Sequence, residues 1–141
     1  MIGTLACWSP QPIFAQTDVT ETYLKNPSFE NQFTDWENSG MQSQTNTSFQ
    51  LKEGNTYVER WTGQGGQVAD CHVSQTLTTL KNGVYKLTAA AQNIQQNSPA
   101  TQSGAYVFAG NAQVAVGAAN DYSLEFTVIE GQATIGFKTE N

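Results

Sequence analysis

The stretch Val73–Gln92, with the sequence VSQTLTTLKNGVYKLTAAAQ, constrains the fold more strongly than any other part of the chain. In Val73–Leu77 every second residue belongs to one face of an extended strand, and the same period returns in Tyr85–Ala91. The pair Asn82-Gly83 between them is typical of a tight hairpin turn, because both residues tolerate positive φ angles. We therefore predict a β-hairpin. Since an isolated hairpin is only marginally stable in water, further strands must cover it.

Short segments of the same alternating kind occupy much of the remaining chain, and no segment predicts a helix longer than one turn. They are Ser28–Glu30, a strand beginning at Trp36, Phe49–Leu51, Thr56–Trp61, Ala105–Ala109, Val114–Val116, Tyr122–Val128 and Ala133–Phe137. About nine or ten short strands separated by turn signals predict an all-β chain, a β-sandwich with the topology of a jelly roll. The 141 residues suggest a single such domain, which we place at Thr17–Asn141.

Charge and composition restrict the class of partner. Charged residues make up 13% of the chain, and the formal net charge at pH 7 is -6. Without a basic patch the chain cannot displace counterions from phosphates, so we expect no nucleic-acid partner. An anionic membrane surface is disfavoured for the same reason, and no segment approaches the ~20 apolar residues that a membrane span needs. An uncharged partner suits this composition better.

The N-terminal segment Met1–Gln16 differs from the rest because it is apolar and contains no charged residue. Its end, Phe14-Ala15-Gln16, resembles the end of a secretory signal peptide, with Ala15 as the small residue before the cleavage site. Its beginning has no basic residues, and two prolines interrupt it, so one interpretation is that the recorded start lies inside a longer leader. We expect a partial signal peptide here and therefore a secreted, periplasmic or cell-surface location.

The residues most often used for catalysis are sparse. A disulfide between the two cysteines is not expected, because Cys7 lies in the leader and Cys71 reads as a free, partly buried thiol. The run Asp70-Cys71-His72 cannot converge on one metal ion, since adjacent strand residues point to opposite faces. No nucleophile-elbow pattern accompanies His72, and sequence spacing does not place two carboxylates across a cleft. We therefore expect no enzymatic activity.

Five segments follow one another in an order that is typical of a known class of module. They are Asn26-Pro27-Ser28-Phe29-Glu30 with Trp36 after it, Tyr57–Trp61, Val73–Leu77, Leu80–Leu87 and Gly131–Phe137. Together, over about residues 20–141, they resemble the galactose-binding-like carbohydrate-binding modules appended to secreted or surface glycoside hydrolases of Bacteroidetes. The resemblance implies a galactose-binding-like jelly roll that binds a glycan without catalysis, next to a glycoside hydrolase domain. It is poorly specific for ligand, because the fold also serves adhesion and protein contact.

The resemblance breaks near the C-terminal end. Modules of this kind continue after the segment corresponding to Gly136-Phe137-Lys138 into a closing strand, whereas this sequence stops at Asn141. We expect the missing strand to leave an unpaired edge beside Phe29-Glu30. The resemblance also implies a structural calcium ion with Glu30 among its ligands. The alternative is that Glu30 is a charged strand-end residue, and the missing strand favours it because that strand often supplies a second acidic ligand.

Two aromatic residues, Trp61 and Tyr106, are candidate sugar-binding platforms, because an aromatic face packs well against the C–H groups of a pyranose ring. The alternative is that each ring fills the core. For Trp61 the two readings are balanced, since Arg60-Trp61 lies next to the glycine-rich segment Gly63–Gly66. For Tyr106 the core is slightly favoured. Two further aromatic residues are expected in the core: Trp36 and Tyr85.

Neutral polar residues are the expected partners of sugar hydroxyls. Gln92 and Asn93 lead from the central stretch into the long loop Asn93–Ser103, which also contains Gln95-Gln96. Amide groups both donate and accept hydrogen bonds, as sugar hydroxyls require, although a solvated loop is the more ordinary reading. The predicted sugar site therefore comprises Arg60, Trp61, Gln92, Asn93 and Tyr106. The alternative function is a structural or adhesive spacer, which burial of both Trp61 and Tyr106 would favour.

Overall fold

The computed structural model describes residues 3–8, 16–63, 69–95 and 102–140. Within these ranges the chain is all-β apart from one short helix, as the sequence predicts. The elements are β1 Gly3–Trp8, β2 Thr17–Asp18, α1 Thr20–Tyr23, β3 Glu37–Ser39, β4 Gln42–Gln44, β5 Tyr57–Glu59, β6 Cys71–Leu77, β7 Gly83–Ala91, β8 Ala105–Ala109, β9 Ala112–Ala115, β10 Asn120–Val128 and β11 Ala133–Thr139. No helix in the described part of the chain is long and apolar enough to cross a membrane.

The strands form two large antiparallel sheets and one small one. The first has the order β10-β7-β1-β2, and the second has the order β3-β6-β11-β8-β9. The strands β4 and β5 pair with each other in a separate two-stranded sheet. The arrangement is therefore β-sandwich-like, with one hydrophobic core drawn from both large sheets.

The core uses the faces that the alternating pattern predicts. Its largest fully buried side chains are Tyr85, Phe29, Leu77, Ile135, Val73, Val107 and Val128. The expected core positions of Trp36 and Tyr85 are confirmed, since their exposed fractions are 9% and 1%. Because burying one large apolar side chain stabilises a fold by about 1.5–3 kcal/mol, this cluster is the main source of stability.

The two strands of the central stretch are both present, but they do not pair with each other. β6 pairs with β3 and β11, whereas β7 pairs with β10 and β1. The predicted hairpin is therefore wrong, and Thr78–Asn82 carries the chain from one large sheet to the other. Leu80 is buried in this crossing, and its N–H donates to the Gly131 carbonyl at 2.8 Å. The Asn82 side chain accepts a hydrogen bond from the Gly131 N–H at 3.1 Å, so it holds the β10–β11 turn.

The Asn-Pro-Ser-Phe-Glu motif forms a loop instead of the predicted strand at Ser28–Glu30. The Asn26 amide group donates to the carbonyls of Gln32 and Thr34, both at 3.0 Å, and its oxygen accepts the Asn31 N–H at 3.1 Å. Side chain to backbone hydrogen bonds of this kind compete with strand pairing. The predicted sheet edge beside Phe29-Glu30 is therefore wrong as well, because no strand forms there.

Two further predicted strands, Phe49–Leu51 and Thr56–Trp61, also differ from the structure. Phe49–Leu51 is not a strand, the second segment contains only the shorter strand β5, and β5 pairs with Gln42–Gln44, where no strand is predicted. The Phe49 ring instead packs edge-on against Tyr57, with 5.7 Å between ring centroids. An aromatic side chain at this position can therefore support β5 without joining its hydrogen-bonded ladder.

Part of the predicted leader lies in the first large sheet. β1 pairs antiparallel with β7 from Gly3 opposite Ala89 to Trp8 opposite Val84, and it pairs with β2 at two positions. The prolines of the leader and the predicted cleavage site at Ala15 lie outside the described residues. The export signal and the start of the folded domain at Thr17 stay predictions.

Candidate functional site

One face of the β4–β5 sheet combines polar side chains with one buried aromatic side chain. The register places Gln42 opposite Glu59 and Gln44 opposite Tyr57, so these four side chains share one face. We call these four residues the hairpin face. Tyr57 is buried and anchors this face to Phe49, whereas Gln44 and Glu59 are half-buried and Gln42 is exposed.

The Glu59 carboxylate is the charged group of the hairpin face. It lies on the same face as Gln44 and Tyr57, whose side chains carry hydrogen-bond donors. Partial burial raises the pKa of Glu59 above its ordinary value, although hydrogen bonding to the neighbouring Gln44 and Tyr57 acts in the opposite direction. Burial also raises the pKa of Tyr57, and the nearby negative charge of Glu59 adds to that effect. The carboxylate thus lies beside two protein donors, and Glu59 is still partly exposed to solvent.

Trp61 follows two residues after Glu59, just beyond the end of β5, and 49% of its surface is exposed. It is one of two large hydrophobic residues that are this exposed in the described part of the chain. The sequence left open whether Trp61 is a sugar platform or part of the core, and this exposure excludes the core position. An aromatic ring presented to solvent beside fixed polar groups is the arrangement that a sugar platform needs.

Arg60 lies on the opposite side of the strand from Glu59. Its Nη1 donates to the Gly40 carbonyl at 3.2 Å, and its buried Nε has no hydrogen-bond partner among the described residues. The guanidinium is thus packed against the connection between β3 and β4. The structure does not place it on the hairpin face.

Tyr106 lies on a different surface, the outer face of the five-stranded sheet. In β8 the alternate residues Val107 and Ala109 are fully buried, whereas Tyr106 and Phe108 are half-buried and point away from the core. The slight preference for a core position of Tyr106 is therefore wrong. Lys138 lies over both rings, with its Nζ 5.7 Å from the Tyr106 centroid and 5.8 Å from that of Phe108.

The Lys138 ammonium also pairs with the Glu140 carboxylate at 2.5 Å. The outer aromatic pair is thus partly covered by a side chain of the protein itself. Trp61 and Tyr106 belong to different parts of the fold, because one follows β5 and the other lies in β8. They are two separate candidate surfaces.

Gln92 and Asn93 have different positions although they are adjacent. Gln92 is exposed, whereas the Asn93 N–H donates to the Gly117 carbonyl at 2.7 Å and its carbonyl accepts the Gln102 N–H at 2.9 Å. Asn93 therefore closes the base of the long loop, with its side-chain nitrogen buried and unpaired among the described residues. Gln95 is exposed, and Gln96 lies outside the described residues, as does most of the loop.

Glu30 has an observed structural role. Its Oε1 accepts the backbone N–H groups of Asn55 and Thr56, each at 2.8 Å. Gly54 has a φ angle of 70°, which favours glycine, and a Cβ atom added there would lie 2.2 Å from that oxygen and displace the carboxylate. Glu30 thus ties the first loop to the start of β5.

A calcium ion needs 6–8 oxygen ligands, so Glu30 alone does not make a site. In the described part of the chain no group of three or more His, Cys, Asp or Glu residues is arranged to hold a metal ion. His72 is exposed, while the neighbouring Cys71 is a free, buried thiol, in keeping with the alternation of a strand. The calcium ion implied by the resemblance stays a prediction.

The hairpin face contains residues that the sequence analysis missed. The alternation Tyr57-Val58-Glu59-Arg60-Trp61 already indicated that Glu59 and Trp61 share a face. Gln44 gave no such signal, because its place beside Tyr57 depends on a pairing between segments that the sequence alone does not connect.

Comparison of the chain with protein-family models, with curated proteins and with solved structures gives no match.

Proposed function

We propose that this protein is a non-catalytic carbohydrate-binding module whose site is the hairpin face together with Trp61. The observation that carries the proposal is the 49% exposure of Trp61 next to a strand that presents fixed polar groups. Because half of the Trp61 surface is accessible, a ligand can contact its indole ring, and tryptophan is among the residues that contribute most to binding interfaces.

The chemistry of the hairpin face suits sugar hydroxyls. Gln42 and Gln44 each carry both a donor and an acceptor in the side-chain amide, and the Glu59 carboxylate accepts hydrogen bonds. Trp61 supplies the apolar contact with the C–H face of a pyranose ring. A ligand bound in this way is oriented by the polar groups and gains most of its affinity from the ring.

The wider setting belongs to the same proposal. The sequence resemblance supports a jelly roll of the galactose-binding-like type, and the β-sandwich-like arrangement of two antiparallel sheets agrees with it. The apolar leader and its ending, Phe14-Ala15-Gln16, support export. We infer that the module holds an associated glycoside hydrolase near its glycan outside the cytoplasm.

The proposal is tested by affinity electrophoresis of the full chain in gels that contain soluble polysaccharides. We expect retardation by at least one polysaccharide, and we expect Trp61→Ala to weaken binding by about tenfold or more, since stacking and hot-spot contacts of this size dominate interfaces. The matched control is Ile129→Ala, which removes the other exposed large hydrophobic side chain, 74% exposed, and must leave binding unchanged. Retardation that survives Trp61→Ala would refute the site, and no binding to any glycan would refute the function.

A second candidate is a structural or adhesive spacer that contacts protein. It is favoured by the outer face of β8 and β11, where Lys138 covers Tyr106 and Phe108. A surface whose aromatic rings are already covered by the protein is better suited to a fixed contact than to an exchanging sugar. If Tyr106→Ala alters oligomeric state or partner binding while Trp61→Ala has no effect on any glycan, the spacer function is the better account.

A further inference from the structure

We propose that the hairpin face selects sugars that carry a protonated amino group over neutral sugars of the same size. This inference rests on the proposed function, because it names the class of ligand for that site. It depends on the charges around Trp61, on the hydrogen bonds of Glu59 and on the properties of an exposed indole ring.

The charge of the hairpin face is negative. Glu59 is the ionisable acidic group among its four residues. The nearest cation along the chain, Arg60, is turned to the Gly40 carbonyl on the other side of the strand. Lys52, from the loop before β5, forms an ion pair with Asp121. No cation therefore faces the site from these neighbours, and the formal net charge of -6 makes anionic glycans still less favourable.

The Glu59 carboxylate has unused hydrogen-bonding capacity. Two carboxylate oxygens offer about four acceptor positions, more than the donors of the neighbouring Gln44 and Tyr57 side chains can fill. A sugar that covers Glu59 removes the water that serves the remaining positions. Covering a charge without a partner is unfavourable, whereas an ammonium group brings three donors and the opposite charge. A free amine on the ligand is thus the group that best offsets the loss of water.

The exposed ring of Trp61 favours the same ligand. An ammonium group near the face of an indole is attracted to its electron-rich surface, and tryptophan is the most favourable of the aromatic side chains for this contact. N-acetylation of the sugar abolishes both the positive charge and this attraction while it leaves the pyranose ring intact. A pair of ligands that differ only in acetylation therefore isolates the proposed contribution.

The test uses the full chain, titrated near neutral pH in a calorimeter with the trimers of glucosamine and of N-acetylglucosamine. We expect the glucosamine trimer to bind about tenfold more tightly, the size expected of one cation–aromatic contact and one ion pair that is partly desolvated. Glu59→Gln should reduce this ratio to about one, because it removes the charge that favours the amine while it keeps a side chain of the same size.

Two controls separate this effect from general attraction between a cationic sugar and an acidic protein. Glu125→Gln removes the same charge from an exposed position on β10 and must keep the tenfold ratio. Trp61→Ala must weaken both trimers. Because the readout is a ratio of dissociation constants, a fraction of unfolded variant changes the stoichiometry and not the result. Equal binding of the two trimers, or a ratio that survives Glu59→Gln, overturns the inference while the proposed function stands. Failure of every glycan to bind overturns the proposed function itself.

Discussion

The indole Nε1–H of Trp36 donates a hydrogen bond to the backbone carbonyl of Asn26 at 2.9 Å. The same indole ring packs against the fully buried Phe29, with 4.5 Å between ring centroids. Asn26 and Phe29 both have positive φ angles, 48° and 60°, which residues other than glycine rarely adopt. The loop is thus held in an unfavourable backbone conformation by one buried aromatic pair and by the hydrogen bonds of one asparagine.

Replacing Asn26 should therefore destabilise the whole domain. In Asn26→Ala three side-chain hydrogen bonds are lost and a residue that tolerates positive φ poorly is introduced, so we expect a loss of about 2–3 kcal/mol in the free energy of unfolding. Urea denaturation followed by fluorescence measures it. Asn31→Ala, an exposed asparagine of the same loop, should change stability by no more than about 0.5 kcal/mol. Equal effects of the two substitutions would show that Asn26 does not organise the loop.

The contact between Glu30 and the loop before β5 can be tested by comparing alanine substitutions at two glycines. Gly54 has a φ angle of 70°, and a Cβ atom there would lie 2.2 Å from Glu30 Oε1, whereas no atom of the described residues lies within 4 Å of a Cβ at Gly63. We expect Gly54→Ala to lower the free energy of unfolding by about 1–3 kcal/mol and Gly63→Ala to leave it nearly unchanged. Thermal unfolding of both variants is the measurement. If Gly54→Ala leaves the free energy of unfolding unchanged, the Glu30 contact does not fix this loop.

The raised pKa of Glu59 predicts the direction in which the stability of the fold changes with pH. A carboxyl group whose pKa is higher in the folded than in the unfolded chain stabilises the fold below its unfolded value and loses that contribution as pH rises through its folded value. The ordinary value is 4.5, so stability should fall as pH rises above it. Glu59→Gln should flatten this fall, whereas Glu125→Gln should not. Denaturation series at stepped pH measure the slopes, and identical slopes for the unmodified protein and Glu59→Gln would contradict the assignment.

The N-terminal strand leads to a prediction about export. Cleavage after Ala15 would separate Gly3–Trp8 from the chain and leave the edge of β7 from Val84 to Ala89 without that partner. When the protein is produced in a host that exports it, we expect an intact mass that begins at Gln16. A mature protein that retains residues 3–8 would instead show that β1 belongs to the functional domain, and the export prediction would fail at that site.

The sequence predicted well which side chains of the central strands face the core, but it predicted poorly which strands pair with each other. A period of two states which side chains share a side, so the inward positions Tyr85, Leu87 and Val73 are correct. It does not state which strand lies alongside. The partners of β6 and β7 depend on Leu80, whose burial at the crossing sends the chain into the other sheet, and the turn signal Asn82-Gly83 is equally compatible with that path.

The candidate site follows the same rule. Glu59 and Trp61 could be placed together by their spacing in one strand, but Gln44 could not, because it comes from a segment with no alternation of hydrophobic residues. Asn93 had the chemistry of a sugar ligand, yet the structure uses its backbone to close a loop. Local patterns thus indicate the direction of a side chain, and the tertiary contacts decide its role.

The most direct test of the account is an NMR titration that follows the indole N–H signals of the three tryptophans with a glycan that retards the protein in gels. We expect the Trp61 signal, assigned by its loss in Trp61→Ala, to shift and to saturate with the ligand. The Trp36 signal, which is buried and hydrogen-bonded to Asn26, should stay in place. Saturable binding that leaves the Trp61 signal unmoved would contradict the central claim.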